Sequence, residues 1–143
     1  MAKISASLQF ILDISRLHMV TNRKLDGHLG LHGLGLNDFI VLYHLTQAVE
    51  GKLRRIDLAE KMGLTASAIT RMLLPMEKIG LVSREANAHD ARSSYVVLAP
   101  GGKRLFEESL KTAQYAAKDI ISSSASKKIE KVVETLHELA EAL

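Results

Sequence analysis

From Arg54 to Leu98 the chain reads RRIDLAEKMGLTASAITRMLLPMEKIGLVSREANAHDARSSYVVL. The order of its parts, two short helical patterns about a tight turn and then a basic hairpin, constrains the fold more than any other stretch. A first helix is predicted over about 56–62, with Leu58, Ala59 and Met62 at helical spacing on its inward face. Gly63 stops it, because a glycine just past a helix end adopts the left-handed conformation without side-chain cost, and Leu64 can tuck the turn inward. Thr65 is the predicted N-cap of a second helix reaching about Ile79, since its hydroxyl can accept a free amide of the next turn.

The second helix sorts into two faces. Ile69, Met72, Leu73 and Met76 recur at three- and four-residue steps, with Ser67, Thr70 and Arg71 on the other side. Pro75 removes one helical hydrogen bond, at about 3 kcal/mol in a regular interior, so a bend near Arg71 is expected that aims Glu77 to Ile79 toward the hairpin. Gly80 then leads into strands predicted over about 81–85 and 93–98; Tyr95, Val96 and Val97 are good strand formers and Asn87 suits the turn between them.

Helix, turn, helix and hairpin in this order outline a winged helix-turn-helix, whose second helix enters the DNA major groove. On that outline Thr65, Ser67 and Thr70 can bond phosphate or base edges, and Arg71 can donate a forked pair of hydrogen bonds to guanine. Arg84 and Arg92 flank the wing tip that carries His89, and an arginine on such a hairpin can enter the minor groove or clamp its phosphates. Asp90 would be repelled by DNA, so its expected role is to pair with an arginine and hold the wing's shape. Arg54, at the N-cap position of the first helix, cannot accept an amide; a phosphate contact and a solvated side chain are both open. A solvated face is likewise the alternative for the polar side of the second helix.

These segments resemble the MarR family of bacterial transcriptional regulators. The resemblance rests on IDLAEKMGL, on TASAITRMLLPMEKIGLV and on DARSSYVVLAPGG, the last through Asp90, Arg92, Val96, Leu98 and Gly102. The order of the flanking helices fits as well, over essentially the whole chain. Ala91 stands where members often carry an arginine, and Ala99 where a threonine often caps the next helix. Pro100 offsets the second departure, because its dihedral is already set for a first helical position.

The resemblance implies a mainly α (α+β) fold, a winged helix-turn-helix with added N- and C-terminal dimerisation helices. The expected divisions are 1–35 for the N-terminal dimerisation helix, 36–99 for the DNA-binding domain and 100–143 for the C-terminal dimerisation helices. The implied function is a ligand-responsive repressor that binds a palindromic operator in double-stranded DNA as a homodimer. A small aromatic or phenolic effector would sit between the dimer helices and the DNA-binding lobe. Arg16, His18, Tyr43 and His44 are candidate lining groups, as polar atoms on otherwise apolar helices; a surface or hydrogen-bonded core role is the alternative for each.

The terminal patterns agree with that outline. Ile4, Leu8, Ile11, Leu12 and Met19 form a helical stripe, and a second helix over about 37–47, with Asn37 as its cap, is apolar on most sides. A helix from about Pro100 to Ile121 leads through a serine-rich joint to a last one, where Ile129, Val132, Val133, Leu136, Leu139 and Leu143 repeat near every three and a half residues. Such stripes need a partner.

Composition narrows the function classes. The net charge is only +3, but Lys52 to Arg104 holds ten lysines and arginines against five acids, and the remainder nine against eleven, so the middle is the basic part. Without cysteine there is no disulfide, cysteine metal site or thiol sensor. No apolar run is long enough to cross a membrane and the N-terminus lacks a secretory cleavage pattern, so a cytoplasmic location is the default expectation.

No nucleophile with its base, carboxylate pair or cofactor fingerprint is legible, so neither an enzyme nor a bound cofactor is expected. The glycine-rich segment DGHLGLHGLG lacks the ending of a phosphate loop. His28 and His32 beside Asp26 could share a helix face and make a metal-responsive regulator, but no third ligand is evident. The remaining alternative is a winged-helix protein-interaction module without DNA binding.

Overall fold

A computed structural model describes residues 2–90 and 93–143. Helix α1 spans Ala6–Leu29, started by the Ser5 hydroxyl accepting the Leu8 amide at 3.2 Å. A 3-10 turn over Gly30–His32 leads to α2, Leu36–Gln47. Asn37 does not cap α2, because carboxylates reach the start of the helix first. Asp38 accepts the Gly35 amide at 3.0 Å, and Asp26 of α1 accepts the Leu36 amide at 2.6 Å, placing negative charge where the helix dipole favours it.

The central segment folds as α3 (Arg55–Met62), α4 (Ala66–Lys78), β2 (Val82–Ala86) and β3 (Ser94–Leu98). Gly63 adopts φ 64°, ψ 32°, and the Leu64 amide returns to the Ala59 carbonyl at 2.9 Å, closing α3 as anticipated. Leu64 itself stays partly open, at 38% exposure. The Thr65 hydroxyl accepts the Ala68 amide at 3.1 Å, and α4 continues past Pro75 to Lys78.

The hairpin has a third strand that periodicity did not announce. Strand β1, Lys52–Arg54, pairs antiparallel with β3 in the register Lys52 to Val97, Leu53 to Val96 and Arg54 to Tyr95, so the sheet order is β1-β3-β2. Three residues are too few to show an alternating pattern. The turn before it carries left-handed Glu50 (φ 59°) and Gly51 (φ 64°).

One core joins the lobe to the long helices. Leu29, Val41, Leu42, Leu45, Leu58, Ile69, Leu73 and Val96 are closed to solvent or nearly so, with Phe106 stacked on Phe39 at 5.1 Å between ring centres. Helix α5, Pro100–Ile120, has Pro100 in its first turn and packs along α1 and α2. The terminal stripes lie outside this core. Leu8, Ile11 and Leu12 on α1 keep about half their surface open, and no residue of α7 (Ile129–Ala142), which follows the short α6 (Ser123–Ser126), is buried. Among the described residues, no helix is long and apolar enough to cross a membrane.

Candidate nucleic-acid interface

Helix α4 buries Ile69, Leu73 and Met76 and turns Ser67, Arg71, Leu74 and Lys78 outward. Spacings of four, three and four place these four on one stripe. Among the described residues, no hydrogen bond or ion pair engages the side chain of Ser67 or Arg71. Thr65 is exposed at the start of the same helix, its hydroxyl oxygen used as the cap.

Thr70 departs from the expected outward face. It is half-buried, and its hydroxyl accepts a hydrogen bond from Arg55 Nη1 at 2.9 Å. Its angular position on the helix is nearer that of Glu77, seven residues on, than that of Arg71. Glu77 faces the wing: its carboxylate meets Arg55 Nη2 at 3.1 Å and Arg84 Nη2 of β2 at 3.4 Å. Arg55 Nε completes the set by donating to the Ser94 hydroxyl of β3 at 3.2 Å. Burial, and then the nearby Arg84 charge, lower the Arg55 pKa against the opposing pull of Glu77.

Arg54 is not a free cation. Its Nε and Nη2 donate to both oxygens of Asp57 at 2.9 and 3.0 Å, which raises the pKa of Arg54 and lowers that of Asp57. A phosphate would have to share this fork with Asp57. Lys52 is similarly engaged, bound to Glu85 at 3.0 Å and lying 4.9 Å from the centre of the Tyr95 ring.

At the wing tip, Asn87 organises the turn. Its side-chain oxygen accepts the His89 amide at 2.9 Å and its side-chain nitrogen donates to Ser93 Oγ at 3.0 Å. The Asp90 backbone bonds to Asn87 and Ser93, and its charge contributes to the raised pKa of Arg54. Arg92, expected at this tip, lies outside the described residues. His89 and Arg84 are exposed on the hairpin beside α4.

A cavity of about 560 Å³ opens where the end of α2 and the end of β3 meet the start of α5, lined by Leu45, Gln47, Leu98, Lys103, Phe106 and Glu107 among others. The four candidate lining groups do not gather there. Arg16 and His18 are exposed on α1 in separate shallow depressions, because two residues along a helix is more than half a turn. Tyr43 and His44 lie on α2 with ring centres 5.3 Å apart, and Tyr43 is 6.5 Å from Phe106, which lines the cavity. Burial, and then the Lys61 charge, lower the His44 pKa and favour its neutral form. Of the groups considered for a metal, His32 Nε2 bonds to Thr112 Oγ1 of α5 at 2.7 Å, and Asp26 is occupied at the start of α2. No group of three possible metal-ligating side chains occurs among the described residues.

Residues 36–94, the lobe that carries α4 and most of the wing, match the sequence profile of the MarR family. Over that lobe the chain is similar to the MarR family. The chain is similar to proteins named as transcriptional regulators. It is 23% identical to the HTH-type transcriptional regulator YdgJ of Bacillus subtilis over 92% of this chain and 77% of that one. To the HTH-type transcriptional repressor YetL of the same organism it is 26% identical, over 74% of this chain and 64% of the relative.

Similar solved structures include the transcriptional regulator BldR of Sulfolobus solfataricus, at TM-score 0.87 and 24% identity over the full length of both chains. The MarR family regulator Sco3205 of Streptomyces coelicolor, solved in complex with DNA, gives TM-score 0.78 at 19% identity over 96% of this chain and 90% of that one. CouR of Rhodococcus jostii, solved with p-coumaroyl-CoA, gives 0.81 at 21% identity over 98% and 96%. The fold is theirs: a mainly helical chain around a small antiparallel three-stranded sheet.

Within this lobe the sequence reading passed over Arg55, Leu74, Lys78 and Lys52. Leu74 and Lys78 were accessible from the same helical spacing that singled out Ser67 and Arg71. Arg55 was not, because its three partners lie 15, 22 and 39 residues away.

Proposed function

We propose that two copies of the chain pair through α1, α5 and α7 and bind a palindromic DNA site, with the outward stripe of α4 in the major groove and the wing along the adjacent minor groove. The observation that carries this is the unengaged Ser67 and Arg71 side chains on one exposed stripe of α4, beside Arg84 on the hairpin. A twofold pair sets two such helices about 34 Å apart, one turn of DNA. The apolar faces left open on α1 and α7 supply the surface for pairing. Repression is the sign of regulation we favour, as in the relative YetL.

Binding to a random duplex across a salt series tests the first step. A steep loss of affinity with salt is the expected result, whereas no binding at low salt would leave a protein-interaction module as the better account. Arg84→Ala and Arg92→Ala should weaken binding to all sequences and reduce the salt slope by about 1 each, while Arg71→Ala should mainly relax discrimination between sequences. Equal loss of discrimination in all three variants would refute that division of labour.

The effector reading rests on the cavity between α2 and α5, whose volume of about 560 Å³ lies in the range of small-molecule sites. Phe106 offers an aromatic face there and Lys103 a cation, a combination suited to a small aromatic carboxylic acid; CouR, with its p-coumaroyl-CoA, is a precedent for an aromatic acyl ligand on this fold. An effector at this junction acts only through unequal affinity for two lobe spacings. In a thermal-shift titration, p-hydroxybenzoate is expected to stabilise the wild type and to do so more weakly in Lys103→Met; equal shifts in both would remove Lys103 from the site.

A further inference from the structure

Arg55 is the one side chain described that ties α3, α4 and the hairpin together through a single group. Its guanidinium sends Nη1 to Thr70, Nη2 to Glu77 and Nε to Ser94, and Glu77 holds Arg84 of the neighbouring strand. The group is largely enclosed, with 17% of the Arg55 side chain and 23% of that of Glu77 exposed. Three of its bonds leave a rigid, planar fork in fixed directions, which an ammonium on a flexible stem cannot reproduce. An enclosed ion pair of this kind is a weak source of net stability, so its contribution is better sought in geometry. Two geometries meet here, the pitch of α4 and the angle of the β2-β3 hairpin, and DNA must accept both at once in adjacent grooves.

We infer that Arg55, with Glu77 as its counter-ion, is a positioning residue for DNA recognition that fixes the wing relative to α4. The inference rests on the DNA-binding reading above. Arg55 touches no DNA in this scheme; it acts through Thr70, Glu77 and Ser94.

The experiment uses the full-length protein and two duplexes: one selected from a random pool by the wild type, and the unselected pool itself. Arg55→Lys is expected to lower the ratio of the two affinities about tenfold while the affinity for the pool and its salt slope stay the same, since the phosphate contacts remain. The double variant Arg55→Met/Glu77→Leu replaces the ion pair by apolar groups; it is expected to melt near the wild type and still to lack discrimination. An unchanged ratio in Arg55→Lys, or discrimination restored by the apolar pair, would overturn the inference and leave Arg55 a packing residue. A wild type that bound neither duplex at low salt would instead bring down the DNA-binding reading, and the inference with it.

Discussion

Gly102→Ala is expected to destabilise the fold by about 1–3 kcal/mol, the usual range for forcing extra atoms into a packed interior. Helix propensity alone predicts the opposite sign, because alanine is favoured over glycine inside a helix by about 1 kcal/mol. The decisive fact is the space. Gly102 is buried in the first turn of α5, and a Cβ there would overlap the Leu81 carbonyl oxygen and lie 3.0 Å from the Leu81 carbonyl carbon and from Leu98 Cδ1. That oxygen cannot withdraw easily, since it accepts the Ala99 amide at 3.1 Å and so ties the end of β3 to the start of β2.

Gly27→Ala is the control. It lies inside α1 with nothing within 4 Å of a built Cβ, so the propensity gain of about 1 kcal/mol should survive there. Urea unfolding at equal protomer concentration separates the two cases. Stabilisation by both substitutions would show that α5 can move away from Leu81.

The largest effect on DNA binding is expected from Leu139→Asp, on the last helix. Leu139 keeps 43% of its surface open in the single chain, as do Val132 at 46% and Val133 at 42%, so the protomer should fold with an aspartate in that place. Paired helices would have to bury the carboxylate without a partner. Sedimentation should then report a monomer. Affinity for a palindromic duplex should fall by at least about a hundredfold, because the second half-site no longer benefits from tethering to the first. Affinity for a single half-site should change little. A dimer that persists with undiminished affinity would show that α7 is not the pairing element.

Much of the fold was legible because its signals are local. The closing turn of α3 is written in Gly63, the start of α4 in Thr65, and the start of α5 in Pro100 next to Ala99; each depends on the conformation of one residue and the amides beside it. The buried face of α4 follows from the spacing of Ile69, Leu73 and Met76 alone. The outward stripe follows by subtraction, so Ser67 and Arg71 were visible, while Thr70 was misplaced because a residue at the border of two faces is assigned by what packs beside it. The cap of α2 was missed for the same reason, since Asp26 reaches the helix from ten residues away.

By itself, then, the sequence determined the helices, the turns, the hairpin and the cationic middle of the chain, all properties of residues within a few positions of one another. Tertiary structure alone decided the pairing of β1 with β3, the gathering of Arg55, Thr70, Glu77 and Ser94, and the cavity between Gln47 and Phe106. The physical reason is range. Periodicity says which way a side chain points from its own helix, but the partner it meets depends on how that helix is placed against others.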